Sequence, residues 1–270
     1  MNKKDMNFSH MVDVAEACIE VENLQAKHAI MHAAGLTKDE LDTMWSKRDD
    51  LFWAHNFGGM PNRADVYKGW AGGLADGAKT NYEQLVKVYP EVEGHEPRSL
   101  VECAVHMLGS SIIEVADDGQ SARASWYTPG VIFSTLNPEK AKEGLWIWER
   151  YGNDFVKEDG EWKIITQHVC NDFGGSLDED NFAHVNWKRM YAKPRPRPQP
   201  ENGEEAPRPR GPYAPLPLFF ASYTPVQAPQ NPCPWPSPYK TFNRENNSYA
   251  VPFAKGEYSI VYPIPPKAMP

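Results

Sequence analysis

The sequence has few cysteines, no long apolar run and no excess of basic residues, and each lack excludes a class of protein. Its 270 residues include four cysteines and no C-x-x-C motif, which argues against a disulfide scaffold and a structural zinc site and favours reduced thiols in a cytoplasm. No stretch approaches the ~18 apolar residues of a membrane span, and the polar N-terminus is unlike a signal peptide. The formal net charge of −8 argues against a nucleic-acid groove.

A Gly-rich phosphate loop and an internal repeat are also missing, which removes nucleotide-binding and solenoid interpretations. Hydrophobic residues make up 41% of the chain and aromatic residues 12%. That composition supplies a folded core and excludes disorder of the whole chain.

Proline is scarce in the first part of the chain and abundant in the second. Five of the 25 prolines precede Pro194, and 20 lie from there to the end. Proline lacks the N–H that helices and central strands need, yet this tail also carries many aromatic and aliphatic residues that water would not tolerate as one exposed surface. We therefore predict an α+β domain over residues 1–193. Residues 194–270 are predicted to form an extended arm that wraps this domain or a neighbouring subunit, rather than a disordered linker.

Three helices are predicted in the first hundred residues. An Asp-x-x-Glu capping box at Asp13 opens the first helix, and Gly35 ends it. A Thr-x-x-Glu box at Thr37 opens a short second helix. The third starts near Asn62, and the Gly72-Gly73 pair weakens its middle.

Four strand-like runs follow Pro97, where the hydrophobic period changes from helical spacing to two. Two Asp-Gly pairs, Asp118-Gly119 and Asp159-Gly160, separate consecutive runs and favour tight type I′ hairpin turns. Helices followed by long antiparallel strands are typical of an α+β fold. The runs cover residues 101–115, 122–128, 145–156 and 162–173.

Several short motifs carry a family resemblance over about residues 12–175. They include Val21-Glu-Asn-Leu-Gln-Ala-Lys-His28, Ile113-Glu-Val-Ala-Asp-Asp-Gly119 and the hairpin Tyr151-Gly-Asn-Asp-Phe-Val-Lys-Glu-Asp-Gly-Glu-Trp162. In these motifs and in the order of elements, the chain resembles the SnoaL-like branch of the nuclear transport factor 2-like superfamily. The resemblance implies a cone-shaped, curved antiparallel sheet with three helices around a pocket. Family members include cofactor-independent dehydratases, lyases, isomerases and cyclases, and also noncatalytic binding proteins.

His106 is the first candidate catalytic residue. It lies midway along a predicted strand among small and apolar neighbours, where an imidazole is either a core residue or a general acid or base, since its ordinary pKa is near ~6.5. The resemblance implies catalysis, because the dehydratases of the family, a bile-acid dehydratase among them, place their catalytic histidine at this position.

The partner of His106 stays open in the sequence. The resemblance implies an orienting aspartate near the end of the next strand, but that stretch reads Thr128-Pro129-Gly130 and has no acid. Either another carboxylate takes the role, or His106 acts alone, or the protein does not catalyse this kind of elimination. The candidate carboxylates are Glu102, Glu149, Asp154 and Asp172.

His28 and His32 lie one helical turn apart and face the same way. Such a pair can bind a metal, but no third ligand is placed to complete a site, so we expect none. The resemblance aligns His28 with a tyrosine that orients the substrate oxygen, which makes His28 a second catalytic candidate. Tyr127 is the third catalytic candidate, as an acid or as a hydrogen-bond donor to an oxyanion. The alternative is that Tyr127 is an aromatic core residue.

A further set of residues is predicted to contact a substrate. These residues come from the aromatic, Gly-rich loop after the second helix, from the strands and from the first helix, while His168 is interpreted as structural. The set comprises Trp53, His55, Asn56, Arg63, Trp126, Asn171 and His32.

The sequence therefore predicts a cytoplasmic, cofactor-independent lyase that acts by acid–base catalysis on a hydrophobic hydroxylated aromatic or polycyclic compound. Its reaction would be dehydration or retro-aldol C–C cleavage, such as deformylation of a lignin-derived diaryl compound. The alternatives are an isomerase or cyclase of the same fold, or a noncatalytic small-molecule-binding protein. We expect no nucleic-acid or membrane partner, and the resemblance implies a homodimer or homotrimer.

Overall fold

A computed structural model describes residues 8–55, 58–72, 82–83, 85–95, 102–134, 145–176 and 235–250. The helices are α1 (Phe8–Ala33), α2 (Thr37–Thr43) and α3 (Arg63–Tyr67), and α3 continues into a π-helical turn at Lys68–Gly72. The strands are β1 (Phe52–His55), β2 (Gly58–Met60), β3 (Glu102–His106), β4 (Ile112–Val115), β5 (Ser121–Ser134), β6 (Leu145–Glu158) and β7 (Glu161–Ser176).

The seven strands form one sheet in the order β2-β1-β7-β6-β5-β3, and β4 pairs with the other end of β5. All pairings are antiparallel except that of β1 with β7, which is parallel. The main core lies between the inward face of the sheet and the helices, and Val21, Trp45 and Phe155 are fully buried in it. The α+β prediction is confirmed. Among the described helices, none is long and apolar enough to cross a bilayer.

The first helix begins earlier than predicted and ends where predicted. It starts at Phe8, so Asp13 lies inside it rather than at its cap. Gly35 has φ 71°, a left-handed conformation that favours glycine. The Leu36 N–H donates to the Met31 carbonyl at 3.0 Å, which closes the last turn.

The predicted capping box of the second helix does not form. Leu36 is the N-cap of α2, with no side-chain cap, and Thr37 is already helical. Glu40 is fully buried and turns its carboxylate to His28 and Trp45 instead of to the helix end. The third helix starts next to Asn62, as predicted, and the structure adds that the Asn62 side chain caps it by accepting the Asp65 N–H at 2.9 Å.

The strand predictions need three corrections. The run 101–115 is two strands, β3 and β4, that pair with different parts of β5. The segment interpreted as an aromatic loop contains β1 and β2. The Asp159-Gly160 turn has positive φ at both residues, as type I′ requires, whereas at Asp118-Gly119 only the glycine does.

A described part of the predicted arm, residues 235–250, packs against the outward face of the sheet. Asp154 of β6 accepts the Ser248 hydroxyl at 2.6 Å and the Tyr249 N–H at 3.0 Å. The Arg123 guanidinium lies 4.4 Å from the centre of the Tyr249 ring. The boundary predicted after residue 193 and the rest of the arm lie outside the described residues.

Candidate functional site

A histidine pair shares one carboxylate on the inward face of the sheet. His106 Nδ1 lies 3.2 Å from Glu149 Oε2, and His55 Nε2 lies 3.6 Å from Glu149 Oε1. Glu149 is only 3% exposed. Burial raises the pKa of this carboxyl, but the two imidazoles outweigh burial and lower the pKa to about 2. Glu149 is therefore ionised at neutral pH.

The position of Glu149 fixes which nitrogen of His106 can act as a base. Because a carboxylate only accepts hydrogen bonds, its position 3.2 Å from His106 Nδ1 favours the tautomer that carries the proton on Nδ1 and the lone pair on Nε2, although the two atoms meet at an ion-pair distance without hydrogen-bond geometry. The tautomer is assigned from this contact.

Of the three candidate carboxylates whose side chains the structure describes, Glu149 is the one in contact with His106. Asp154 binds the arm on the outward face, and Asp172 is paired with Arg150 at 2.8 Å. The side chain of Glu102 lies outside the described part of the chain.

Gly130 stands beside His106 where the family resemblance predicts an aspartate nearby. The two residues are register partners between β3 and β5. A Cβ at Gly130 would overlap the Val105 carbonyl oxygen and come within 3.2 Å of His106 Nδ1. The absence of a side chain at this position therefore leaves room for the imidazole, while β6 supplies the carboxylate.

A second histidine–carboxylate pair lies deeper, between α1 and α2. His28 Nδ1 lies 2.6 Å from Glu40 Oε1, and the Trp45 indole N–H donates to the same oxygen at 2.5 Å. Burial raises the pKa of Glu40, but the charge and hydrogen bond of His28 and the Trp45 donor give a net lowering. Gln167 Nε2 lies 2.9 Å from His28 Nε2, so protein groups engage both nitrogens of this ring.

His32 joins the two pairs. Its ring centre lies 6.0 Å from that of His28 and 5.6 Å from that of His106. Burial, followed by the charges of His28 and His106, lowers the pKa of His32 to about 4, so this imidazole is neutral at pH 7. Its Nδ1 makes no hydrogen bond to any residue that the structure describes.

Aromatic rings enclose the histidines. The Trp70 ring lies 5.3 Å from that of His32 and 5.5 Å from that of Trp53. The Tyr151 ring lies 6.1 Å from that of His106 and 6.3 Å from that of His28. We call His28, His32, His55, His106, Glu40, Glu149 and these rings the histidine cluster.

The structure brings some predicted site residues together and leaves others apart. His106, His28, His32, His55 and Trp53 belong to the histidine cluster. The side chains of the other predicted residues do not contact the cluster or lie outside the described structure. They are Tyr127, Trp126, Arg63, Asn56 and Asn171.

Tyr127 points away from the cluster because it alternates with the inward residues Trp126 and Thr128, and it is 55% exposed. Trp126 is a core residue that packs edge-on against Phe155. The Arg63 guanidinium donates to the Ser46 carbonyl at 2.5 Å. Asn56 and the side chain of Asn171 lie outside the described residues.

Sequence reasoning missed Glu40, Trp70 and Tyr151 as cluster residues, and it missed Gln167 as the partner of His28 Nε2. The sequence did contain a signal for Tyr151, since Glu149, Tyr151 and Asn153 alternate along β6 and therefore share one face of the strand. Glu40 was not recognised because its position fits a capping box, which predicts a carboxylate at the start of the helix instead of in the cluster.

No group of three or more His, Cys, Asp or Glu side chains has metal-binding geometry in the part of the chain that the structure describes. A separate cleft of about 250 Å³ lies beside the first half of α1 and the 117–120 turn, and no residue of the histidine cluster lines it.

The comparisons with known proteins give one family match. The model of the SnoaL-like domain matches residues 13–168. No curated protein matches the sequence significantly. Among solved structures, the chain is similar to the hexachlorocyclohexane dehydrochlorinase LinA-type3 from Novosphingobium barchaimii LL02, with 13% identity, a TM-score of 0.42 and coverage of 63% of this chain and 97% of that one.

The chain is also similar to a nuclear transport factor 2-like protein with a cystatin-like fold from Novosphingobium aromaticivorans. The identity is 13%, the TM-score is 0.40, and the match covers 67% of this chain and 97% of that chain.

Proposed function

Because the chain belongs to the SnoaL-like domain family, we propose that it is a cofactor-independent lyase that acts by general acid–base catalysis on a hydrophobic hydroxylated aromatic or polycyclic compound. The observation that carries the proposal is the contact between His106 and the ionised Glu149 at 3.2 Å. This arrangement supplies a base with a defined nitrogen and a carboxylate that stabilises the imidazolium.

In a dehydration, His106 Nε2 takes a proton from a carbon of the substrate, and the C–H electron pair forms the new double bond. The C–O bond breaks, and the leaving hydroxide departs as water with the proton that His106 returns. In a retro-aldol cleavage, the same nitrogen takes the hydroxyl proton, and the O–H electron pair forms the new C=O bond. The C–C bond breaks with its electron pair on the departing carbon, which then takes the proton back from His106. The neutral His32 beside His106 adds no positive charge that would weaken the base.

The aromatic rings around the histidines support a flat, apolar substrate. Trp53, Trp70 and Tyr151 present ring faces and edges within the cluster, and such rings stack on planar apolar bodies.

The test is turnover of a panel of hydroxylated steroids and diaryl compounds by the full chain. We expect His106→Gln to lower kcat/KM by about 10²-fold or more, the range typical of a lost general base, and Glu149→Gln to lower it in the same direction. His95→Gln is the matched control, because His95 is exposed. Full turnover in His106→Gln would overturn the proposal.

The two alternative functions give different results in the same assay. An isomerase or cyclase would use the same acid–base residues but return a product of unchanged mass, whereas dehydration removes one water. A noncatalytic binding protein would bind panel compounds and convert none of them.

The expected homodimer or homotrimer and the cytoplasmic location remain proposals. An exposed apolar area on the outward face of β3, β5 and β6 supports association, because single chains rarely leave such a surface in water. Sedimentation of the full chain measures the oligomeric state directly. The area comprises Val105, Met107, Tyr127, Trp146 and Trp148.

A further inference from the structure

We propose that Tyr151 is the hydrogen-bond donor that stabilises the substrate oxygen on which negative charge develops when His106 takes the proton. The inference rests on the proposed function, and it names the residue that would stabilise the charge formed when His106 acts as a base. Tyr151 lies on β6 two residues after Glu149, so both side chains share the inward face of the sheet.

The ring of Tyr151 lies between the two histidine–carboxylate pairs. Its centre is 6.1 Å from that of His106 and 6.3 Å from that of His28, and the residue is only 4% exposed. The rings of Tyr151 and His106 are therefore close enough for one planar ligand to contact both.

The hydroxyl of Tyr151 is available to a ligand. A buried tyrosine hydroxyl usually has a hydrogen-bond partner, but this one makes no hydrogen bond to any residue that the structure describes. The neighbouring His28 has both nitrogens engaged, by Glu40 and Gln167. His106 directs Nδ1 to Glu149.

The phenol also keeps its proton. Burial, followed by the negative charges of Glu149 and Glu40, raises the pKa of Tyr151 well above its ordinary value. The same carboxylates disfavour a substrate that arrives as an anion. Tyr151 is thus a neutral donor suited to an oxygen that becomes negative only during the reaction.

These features indicate the substrate class as a neutral β-hydroxy carbonyl compound or its phenolic equivalent. His106 Nε2 takes the proton from the carbon next to the carbonyl group, and the C–H electron pair moves to form an enolate whose oxygen accepts the Tyr151 hydroxyl. The enolate then re-forms the carbonyl while the new C=C bond forms and the C–O bond breaks. The leaving hydroxide takes the proton from the His106 imidazolium and departs as water.

Binding of two small probes to the full chain tests the donor without knowledge of the substrate. Acetophenone is neutral and carries a carbonyl oxygen that accepts a hydrogen bond, whereas ethylbenzene has a similar shape and lacks the oxygen. We expect Tyr151→Phe to weaken acetophenone binding about 5-fold, as for a lost hydrogen bond between neutral groups, and to leave ethylbenzene binding within about twofold. Tyr89→Phe, at a half-buried tyrosine outside the cluster, is the control.

Each other outcome overturns the inference. If Tyr151→Phe weakens both probes equally, its role is packing, and if it weakens neither, the hydroxyl is not a donor. If the unmodified protein binds neither probe, the cluster is not a site for flat aromatic compounds, and the proposed function fails with it. Loss of panel turnover in His106→Gln together with full turnover in Tyr151→Phe refutes only the role of Tyr151.

Discussion

His32 shows how position changes the chemistry of a single residue. On an exposed helix its imidazole would titrate near pH 6.5, but within the histidine cluster its pKa is lowered to about 4. A group whose protonation is disfavoured in the folded state makes stability depend on pH, because the unfolded chain takes up the proton first.

We predict that the free energy of unfolding decreases between pH 6.5 and pH 4 and that His32 is responsible for up to about 3 kcal/mol of this decrease. Over that range the unfolded chain binds a proton that folded His32 does not, so acid favours unfolding. The variant His32→Gln should be less sensitive to pH in urea titrations across this range. The control His95→Gln should follow the unmodified protein, and an equal slope for both variants would refute the assignment.

The sequence predicted about half of the cluster at the level of residues. His106, His28 and His32 were found from strand position, helical spacing and the family resemblance. Tyr127 was misplaced because a strand residue faces inward or outward according to its register, and the sequence does not fix the register. The carboxylate could not be chosen among four, since the contact between Glu149 and His106 joins strands far apart in sequence.

At the scale of elements, the pairing of β3 with β5 positions the proposed base. Gly130 faces His106 across this pair, and its lack of a side chain is what allows the imidazole to lie against Glu149.

We predict that Gly130→Ala lowers kcat/KM for any panel substrate by more than 10-fold and lowers stability by about 1–3 kcal/mol, as for other overpacked sites. The added Cβ would push the Val105 carbonyl oxygen and His106 away from β5. Ser125→Ala, at a half-buried position of the same strand, is the comparison, and thermal melting together with turnover measures both effects. A Gly130→Ala protein with unchanged activity would show that the position of His106 is not set by this contact.

Elements were predicted well where a turn motif marks the end of a long strand, and poorly where a short strand is covered on both faces. The hairpin of β6 and β7 was recognised from its Asp-Gly turn, although both faces of its central part are buried. Strand β1 was not, because Trp53 enters the main core while Phe52 and Ala54 pack against Ala250 of the arm. A strand covered on both faces has no alternating pattern to detect.

At the scale of the whole molecule, the described segment 235–250 covers one end of the outward face of the sheet. Its buried contacts centre on Asp154, whose carboxylate receives the Ser248 hydroxyl, the Tyr249 N–H and the Arg123 guanidinium. Arg244 adds hydrogen bonds to the Asp50 and Pro61 carbonyls.

We predict that Ser248→Ala destabilises the protein by about 1–3 kcal/mol, since it removes one donor from a buried carboxylate. Ser237→Ala, at an exposed position of the same segment, should have no measurable effect. Urea unfolding gives the free-energy change, and limited proteolysis of residues 235–250 reports release of the segment. Equal stability of the two variants would mean that Asp154 does not anchor it.

The Asp154 anchor has a practical consequence for anyone who trims the proline-rich C-terminus to obtain crystals. Truncation of the chain before residue 248 would remove two hydrogen-bond donors from the buried Asp154 carboxylate and expose the surface beneath Tyr249. Shortened versions that retain residues up to 250 keep these bonds, and they are the ones to express.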